Sequence, residues 1–91
     1  MRFTWDPRKA RANLREHGVS FDEAITVFGD PDAVLCFDLT HSDDEDRYLQ
    51  LGVSNKERLL IVCHCYRDDV VRIISARKVT SDEEISYLKG G

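Results

Sequence analysis

Two apolar runs joined by three polar residues constrain this chain more than any other stretch: Arg58–Tyr66 and Val70–Lys78, linked by Arg67-Asp68-Asp69. Both are rich in β-branched and long apolar residues and contain neither proline nor glycine. Every backbone N–H is therefore free to pair, as the middle of a sheet requires. A link this short joins antiparallel neighbours, because a parallel crossover needs roughly a dozen residues or more. The same pair carries Arg58, His64, Arg72, Arg77 and Lys78. Cations on a central sheet cost desolvation and repulsion unless they face water or an anion. The pattern poses the question of an anionic ligand.

The chain around this pair is short. Its 91 residues read as one domain over 1–91, with 42% hydrophobic and 33% charged residues, a soluble globular composition. No apolar run approaches the roughly 18–20 residues that span a membrane. The opening MRFTWDPRKAR has no apolar segment of a secretory signal. Three cysteines, an odd number, do not make a disulfide framework. Reduced thiols and a cytoplasmic location are expected. The net charge of −4 disfavours a polyanion partner overall, but it is unevenly placed. Arg8, Lys9, Arg11 and Arg15 crowd one stretch, and Asp43, Asp44, Glu45 and Asp46 another.

In order along the chain, Phe3-Thr4-Trp5 is a short strand candidate, free to add an edge to the sheet. Asp6 as N-cap and Pro7 in the first turn predict a helix over 7–17, closed by Gly18. Ala10, Asn13, Leu14 and His17 share its inward face by spacing, with Trp5 as a core anchor. Ser20 and Glu23 form a capping box for a second helix, in which Phe21, Ala24, Ile25 and Phe28 read as core. Gly29-Asp30-Pro31-Asp32 is a stop and turn. Strands follow over 33–37 and 47–54, separated by a polar acidic loop, before the central hairpin. Thr80 or Ser81 then caps a final helix over 81–89. The predicted architecture is α+β: an antiparallel sheet of four to five strands, two N-terminal helices and one C-terminal helix.

Cys63-His64-Cys65 invites a metal reading that strand geometry opposes, since consecutive side chains point to opposite faces. Alternation instead puts Cys63 and Cys65 on the face of Leu59 and Ile61, as core. Nothing in the sequence stabilises a cysteine thiolate for nucleophilic work. The basic set suits phosphate, because guanidinium forks bind it at two points and ammonium groups act as point charges. By alternation Arg58 shares a face with His64 and Arg72 with Lys78. Arg77 points the other way unless the strand bulges near Ser75-Ala76. Solvent-facing arginines paired with the chain's many carboxylates explain the same residues equally well.

Taken end to end, the motifs carry a resemblance. They are F-x-W-D-P-x-K at 3–9, A-x-x-N-L-x-x-H-G-V-x-F at 10–21 and E-A-x-x-V-F-x-D-P at 23–31. They continue with H-S at 41–42, E-x-R-Y at 45–48, G-x-S at 52–54, R-L-L-x-V at 58–62 and R-I-I-S-A-R at 72–77. In this order they resemble the BrnT family of toxins from bacterial type II toxin–antitoxin systems, with a RelE-like ribonuclease fold. The resemblance implies a metal-independent endoribonuclease with no cofactor, which inhibits translation and growth. It also implies a partner antitoxin of BrnA type, through whose DNA-binding domain alone the complex touches operator DNA. The RNA 2′-hydroxyl would attack the adjacent phosphate, which requires a base, cations for the developing charge and a proton donor.

By the same resemblance, Lys9, Arg58 and Arg77 are the electrostatic catalytic candidates and Glu45 the base. Arg8, Arg47, Arg72 and Lys78 are expected to bind the RNA phosphates. Against these stand plainer roles: a helix-surface lysine for Lys9, and a Glu45–Arg47 ion pair at i, i+2. His17 and His41 titrate in the right range, but His17 is placed to cap the first helix, and His64 lies outside the motifs. The acidic stretch 43–46 should weaken RNA affinity, and equally offers a handle for a basic antitoxin segment. A second function class is a catalytically weak subunit acting in an autorepressing complex. A generic RNA-binding domain is disfavoured, because Tyr48 and Tyr66 are scattered and form no stacking pair in sequence.

Overall fold

Leu59–Arg67 and Val70–Lys78 form an antiparallel pair at the centre of a five-stranded sheet in the computed structural model, which describes residues 1–39 and 45–88, with side chains through 85. In chain order the strands are β1 (Arg2–Thr4), β2 (Val34–Phe37), β3 (Tyr48–Val53), β4 (Leu59–Arg67) and β5 (Val70–Lys78), arranged β1-β5-β4-β3-β2. The sheet is mixed. β1 runs parallel to β5, with Phe3 opposite Val71, whereas the other three pairings are antiparallel. The all-antiparallel expectation fails at that edge. β1 reaches the sheet through α1 (Pro7–His17), α2 (Phe21–Ala24) and three other strands, a connection long enough for a parallel pairing.

The helix ends form as the sequence dictates. Asp6 accepts the Arg8 N–H at 2.8 Å, and Gly18 closes α1 in the left-handed conformation at φ 69°, its N–H on the Leu14 carbonyl. Ser20 caps α2 through the Glu23 N–H at 3.0 Å. The reciprocal half of this capping box is absent, because the Glu23 carboxylate turns to Ser54 and Arg58. α2 passes after one turn into a 3-10 helix, Ile25–Gly29. The last helix, α3 (Ser81–Leu88), has the full box: Thr80 accepts from the Glu23-equivalent amide of Glu83 at 3.3 Å, and Glu83 accepts from the Thr80 N–H at 2.8 Å.

One face of the sheet is covered by α1, α2 and the 3-10 turn. Val19, Phe21, Ala24 and Val27 pack there on Leu60, Val62, Val71, Ile73 and Ala76, with Trp5 against Phe21 at 5.9 Å between ring centroids. Asn13 ties α1 to this layer. Its amide donates to the Val19 and Ala76 carbonyls and accepts the Ala76 N–H, at 2.8–3.0 Å. The inward face of α1 is narrower than spacing predicts, since Leu14 and His17 are exposed.

His64, fully buried, faces the helices, with Phe28 4.9 Å from its ring. Cys63 and Cys65 therefore face the other side, opposite Ser75 and Arg72. Alternation correctly groups them with Leu59 and Ile61; Ile61 and Cys65 are buried as read, while the helices cover the other face, that of Leu60, Val62 and His64. Both faces of this strand are apolar, and only packing decides which one is covered.

Candidate active-site face

A one-residue irregularity builds the site. Cys63 pairs with Ser75 and His64 with Ile73, leaving Ile74 as an extra residue in β5. Ala76 and Lys78 consequently lie opposite Val62 and Leu60, on the helix side, while Arg77 lies opposite Ile61 on the open side. Arg72, opposite Cys65, is on that open side too. Arg72 and Arg77 thus share a face, and Arg72 and Lys78 do not. The bulge falls one residue earlier than the expected Ser75-Ala76.

On this open face lies a groove of ≈ 280 Å³, lined by Asp38, Arg47, Leu49, Cys63, Ile74, Ser75 and Arg77. Arg77 is held by a two-point ion pair with Glu83 at 2.9 and 2.8 Å, and its Nη1 also donates to the Lys78 carbonyl. The Arg77 guanidinium drives the Glu83 carboxyl down to about 2. Burial and the neighbouring Asp38 charge push the Cys63 thiol up, and burial does the same for Cys65. Neither is a thiolate nucleophile at neutral pH.

Glu45 sits at one end of the same face. It accepts from Arg67 at 3.0 Å and from the Cys65 thiol at 3.3 Å, and hydrogen bonding from Arg67 holds its carboxyl below the usual range. Arg67, across the strand end, makes this hydrogen-bonded ion pair, and Arg47, named by the i, i+2 spacing, adds a weaker electrostatic pull on the same carboxylate. The Glu45 pair is partly exposed, so it orients the side chains more than it stabilises the fold.

The face therefore gathers Glu45, Arg47, Arg72 and Arg77 of the eight candidate residues. The other four lie elsewhere. Lys9 and Arg8 are exposed on α1, Arg8 within 3.8 Å of Asp6. Lys78 is exposed on the helix side. Arg58 turns to the helix side as well, donating to Glu23 through Nε at 2.9 Å and to the Gly18 carbonyl at 3.0 Å, with a further Nη2–Glu23 contact. Glu23 is buried, also accepts the Ser54 hydroxyl at 2.6 Å, and is held ionised chiefly by Arg58. A buried carboxylate needs such a partner, which gives Arg58 a structural task. β4 separates Arg58 from the Glu45–Arg67 pair by nine residues, about 30 Å of strand.

Asp38, Cys63 and Ser75 line the groove without having been singled out as site residues. Asp38 is buried and its N–H donates to the Arg47 carbonyl at 2.8 Å. Its signal was a single carboxylate directly after an apolar run, indistinguishable in sequence from a loop aspartate. His41, Asp43 and Asp44 lie outside the described residues. Among the described residues, no cluster of three His, Cys, Asp or Glu side chains is placed to hold a metal ion. No helix among them is long and apolar enough to cross a membrane.

A search of curated protein sequences returned no match. Among solved structures, the chain is similar to the Brucella abortus ribonuclease toxin BrnT at a TM-score of 0.67 and 20% identity, covering 89% of this chain and 99% of that one. At this identity the likeness establishes the fold. A family model described as "Ribonuclease toxin, BrnT, of type II toxin-antitoxin system" matches residues 5–83, most of the chain. By that match the chain belongs to the BrnT family of ribonuclease toxins of type II toxin–antitoxin systems.

Proposed function

We propose that this protein is a RelE-like, metal-independent endoribonuclease that inhibits translation and is silenced by a DNA-binding antitoxin of BrnA type. The observation that carries the reading is the shared open face of Arg47, Arg72 and Arg77 beside a ≈ 280 Å³ groove, in a chain of a ribonuclease-toxin family. Guanidinium forks on a sheet face suit the phosphates of a single strand. In this reading the 2′-oxygen bonds to the adjacent phosphorus as the P–O5′ bond breaks. The 2′-OH proton passes to Glu45, and the leaving 5′-oxygen takes up a proton from water, giving 2′,3′-cyclic phosphate and 5′-hydroxyl ends. Arg77 and Arg47 stabilise the charge on the phosphoryl oxygens, and Arg72 binds a flanking phosphate. Lys9, Arg8 and Lys78 contribute field from the helix side, and Arg58 holds Glu23.

The test is cleavage of a defined naked RNA by purified protein in EDTA, with mapped product ends. Arg77→Ala should lower the rate by about 10²–10³-fold, the range seen on removing one transition-state donor. Lys9→Ala should lower it less. A native protein that cuts only after magnesium is added would overturn the metal-free mechanism.

A second reading has its own observation. Arg58, Arg67 and Arg77 are each neutralised by a carboxylate of the same chain, Glu23, Glu45 and Glu83. That arrangement fits a weakly catalytic subunit of an autorepressing complex. It takes precedence if the native protein leaves both naked RNA and translating ribosomes uncut while its antitoxin complex binds operator DNA.

A further inference from the structure

α1 is charged against its own stability. Its first turn holds Arg8 and Lys9 and no carboxylate, although the positive end of the helix dipole favours acid there. Arg8, Arg11 and Arg15 stand three and four residues apart, so like charges form one ridge and repel one another. The chain has 17 Asp and Glu residues, yet the acid within α1, Glu16, lies at neither three nor four residues from any of these cations. All four cations are exposed. Among the described residues, Arg8 alone of the four has an ion pair, with the N-cap Asp6 at 3.8 Å. Asp22 lines the shallow groove beside Arg11 without pairing to it. A ridge of charge that the fold neither needs nor neutralises calls for an anion from outside the chain.

The ridge continues the arginine face. Phe3 turns to the helix side, its ring 5.1 Å from Phe28, so Arg2 and Thr4 of β1 face the open side, with Thr4 beside Arg72. Trp5, Asp6 and Pro7 then carry the chain from that edge straight to Arg8. Along α1 the three arginines rise in steps of about 4.5 and 6 Å. We infer that α1 is an exosite for the RNA backbone. A strand whose scissile phosphate lies in the groove leaves past Arg72 and Arg2, rounds the β1 edge and lies along Arg8, Arg11 and Arg15. Phosphate contacts position without reading bases, so the exosite accepts any sequence and favours substrates long enough to reach it. This deepens the ribonuclease reading and rests on it. The other surface suited to RNA, the rings of Phe37, Tyr48 and Tyr66, lies on β2, β3 and β4, away from this track. Tyr48 and Tyr66, scattered in sequence, are 5.4 Å apart here, but they meet edge-on at 66° and offer a base no parallel pair.

The test compares the native protein with a double variant, Arg11→Gln with Arg15→Gln, which removes charge and keeps helix propensity. The molecule is 31 Å along its longest axis. A strand of about 20 nucleotides, at roughly 3.4 Å each, outreaches it, whereas a trinucleotide does not. On the long RNA the variant should show a KM raised several-fold with kcat unchanged; on the trinucleotide it should match the native protein. Binding of an uncleavable 2′-deoxy strand of the long length is measured over a salt series. The slope of log affinity against log salt should shrink by about 1.4, at roughly 0.7 for each of two phosphates. Lysine at both positions should restore most of it. The urea midpoint should hold or rise, because repulsion along α1 is relieved. A lower midpoint would assign the arginines to the fold and overturn the inference. So would a native salt slope in the variant, including one accompanied by weaker antitoxin binding, which would assign the ridge to an acidic protein segment. A protein that cuts neither RNA while the variant loses salt slope sinks the ribonuclease reading and leaves the nucleic-acid ridge standing.

Discussion

Glu83 occupies the fork of Arg77 in the way a phosphate would, with two oxygens against two nitrogens. In the proposed reaction RNA must displace that carboxylate. Glu83→Gln should therefore raise RNA cleavage several-fold in a direct comparison of initial rates with the native protein. A rate equal to or below native would mean that Glu83 orients Arg77 rather than competes for it. Asn13 works at the same scale but for stability. Three backbone groups of the buried layer depend on its amide. Asn13→Ala leaves them without partners, and urea unfolding should record a loss of about 3 kcal/mol. The helix spacing placed Asn13 on the inward face; only the packed structure showed that it sutures α1 to β5.

At the level of elements, α3 is fastened through its own cap. Glu83 completes the box with Thr80 and reaches Arg77, and its carboxyl lies at about 2, below the ordinary 4.5. A depressed carboxyl contributes stability fully above its unfolded value and loses it as pH falls toward the folded one. The attachment of α3 should thus weaken from about pH 4.5 down to about 2. Amide exchange over 81–88 at a series of pH values should show it, and Glu83→Gln should remove that dependence. On the opposite side of the sheet, Gly52 is a spacing element. A Cβ there would lie 3.0 Å from Asp30 Oδ2 and Val27 Cγ1, and 3.1 Å from Ala33 Cβ. Gly52→Ala should destabilise by about 1–3 kcal/mol in urea, because the 3-10 turn cannot retreat without unpacking Val27. The G-x-S motif therefore reads as a packing requirement: Gly52 admits the turn, and Ser54 binds Glu23.

For the whole molecule, the sheet divides the candidate residues into two sets. Its helix side takes Arg58 to a buried carboxylate and leaves Lys9 and Lys78 in solvent. Its open side gathers Glu45, Arg47, Arg72 and Arg77. The element types and nearly all boundaries were legible in the sequence, because hydrophobic period, N-caps and Gly18 are local signals. So was the central antiparallel hairpin, from a link too short for any other pairing. The parallel β1 edge was not, since nothing local in Phe3-Thr4-Trp5 chooses its neighbour or direction. Nor was the site's composition. A strand's alternation defines two faces but does not say which one the helices will cover. A single extra residue at Ile74 then reverses the facing of everything after it. Residue chemistry and element type follow from local sequence. Which cations meet, and which are neutralised by Glu23, Glu45 or Glu83, depends on contacts between residues distant in the chain, and these exist only once the sheet has paired and the helices have packed.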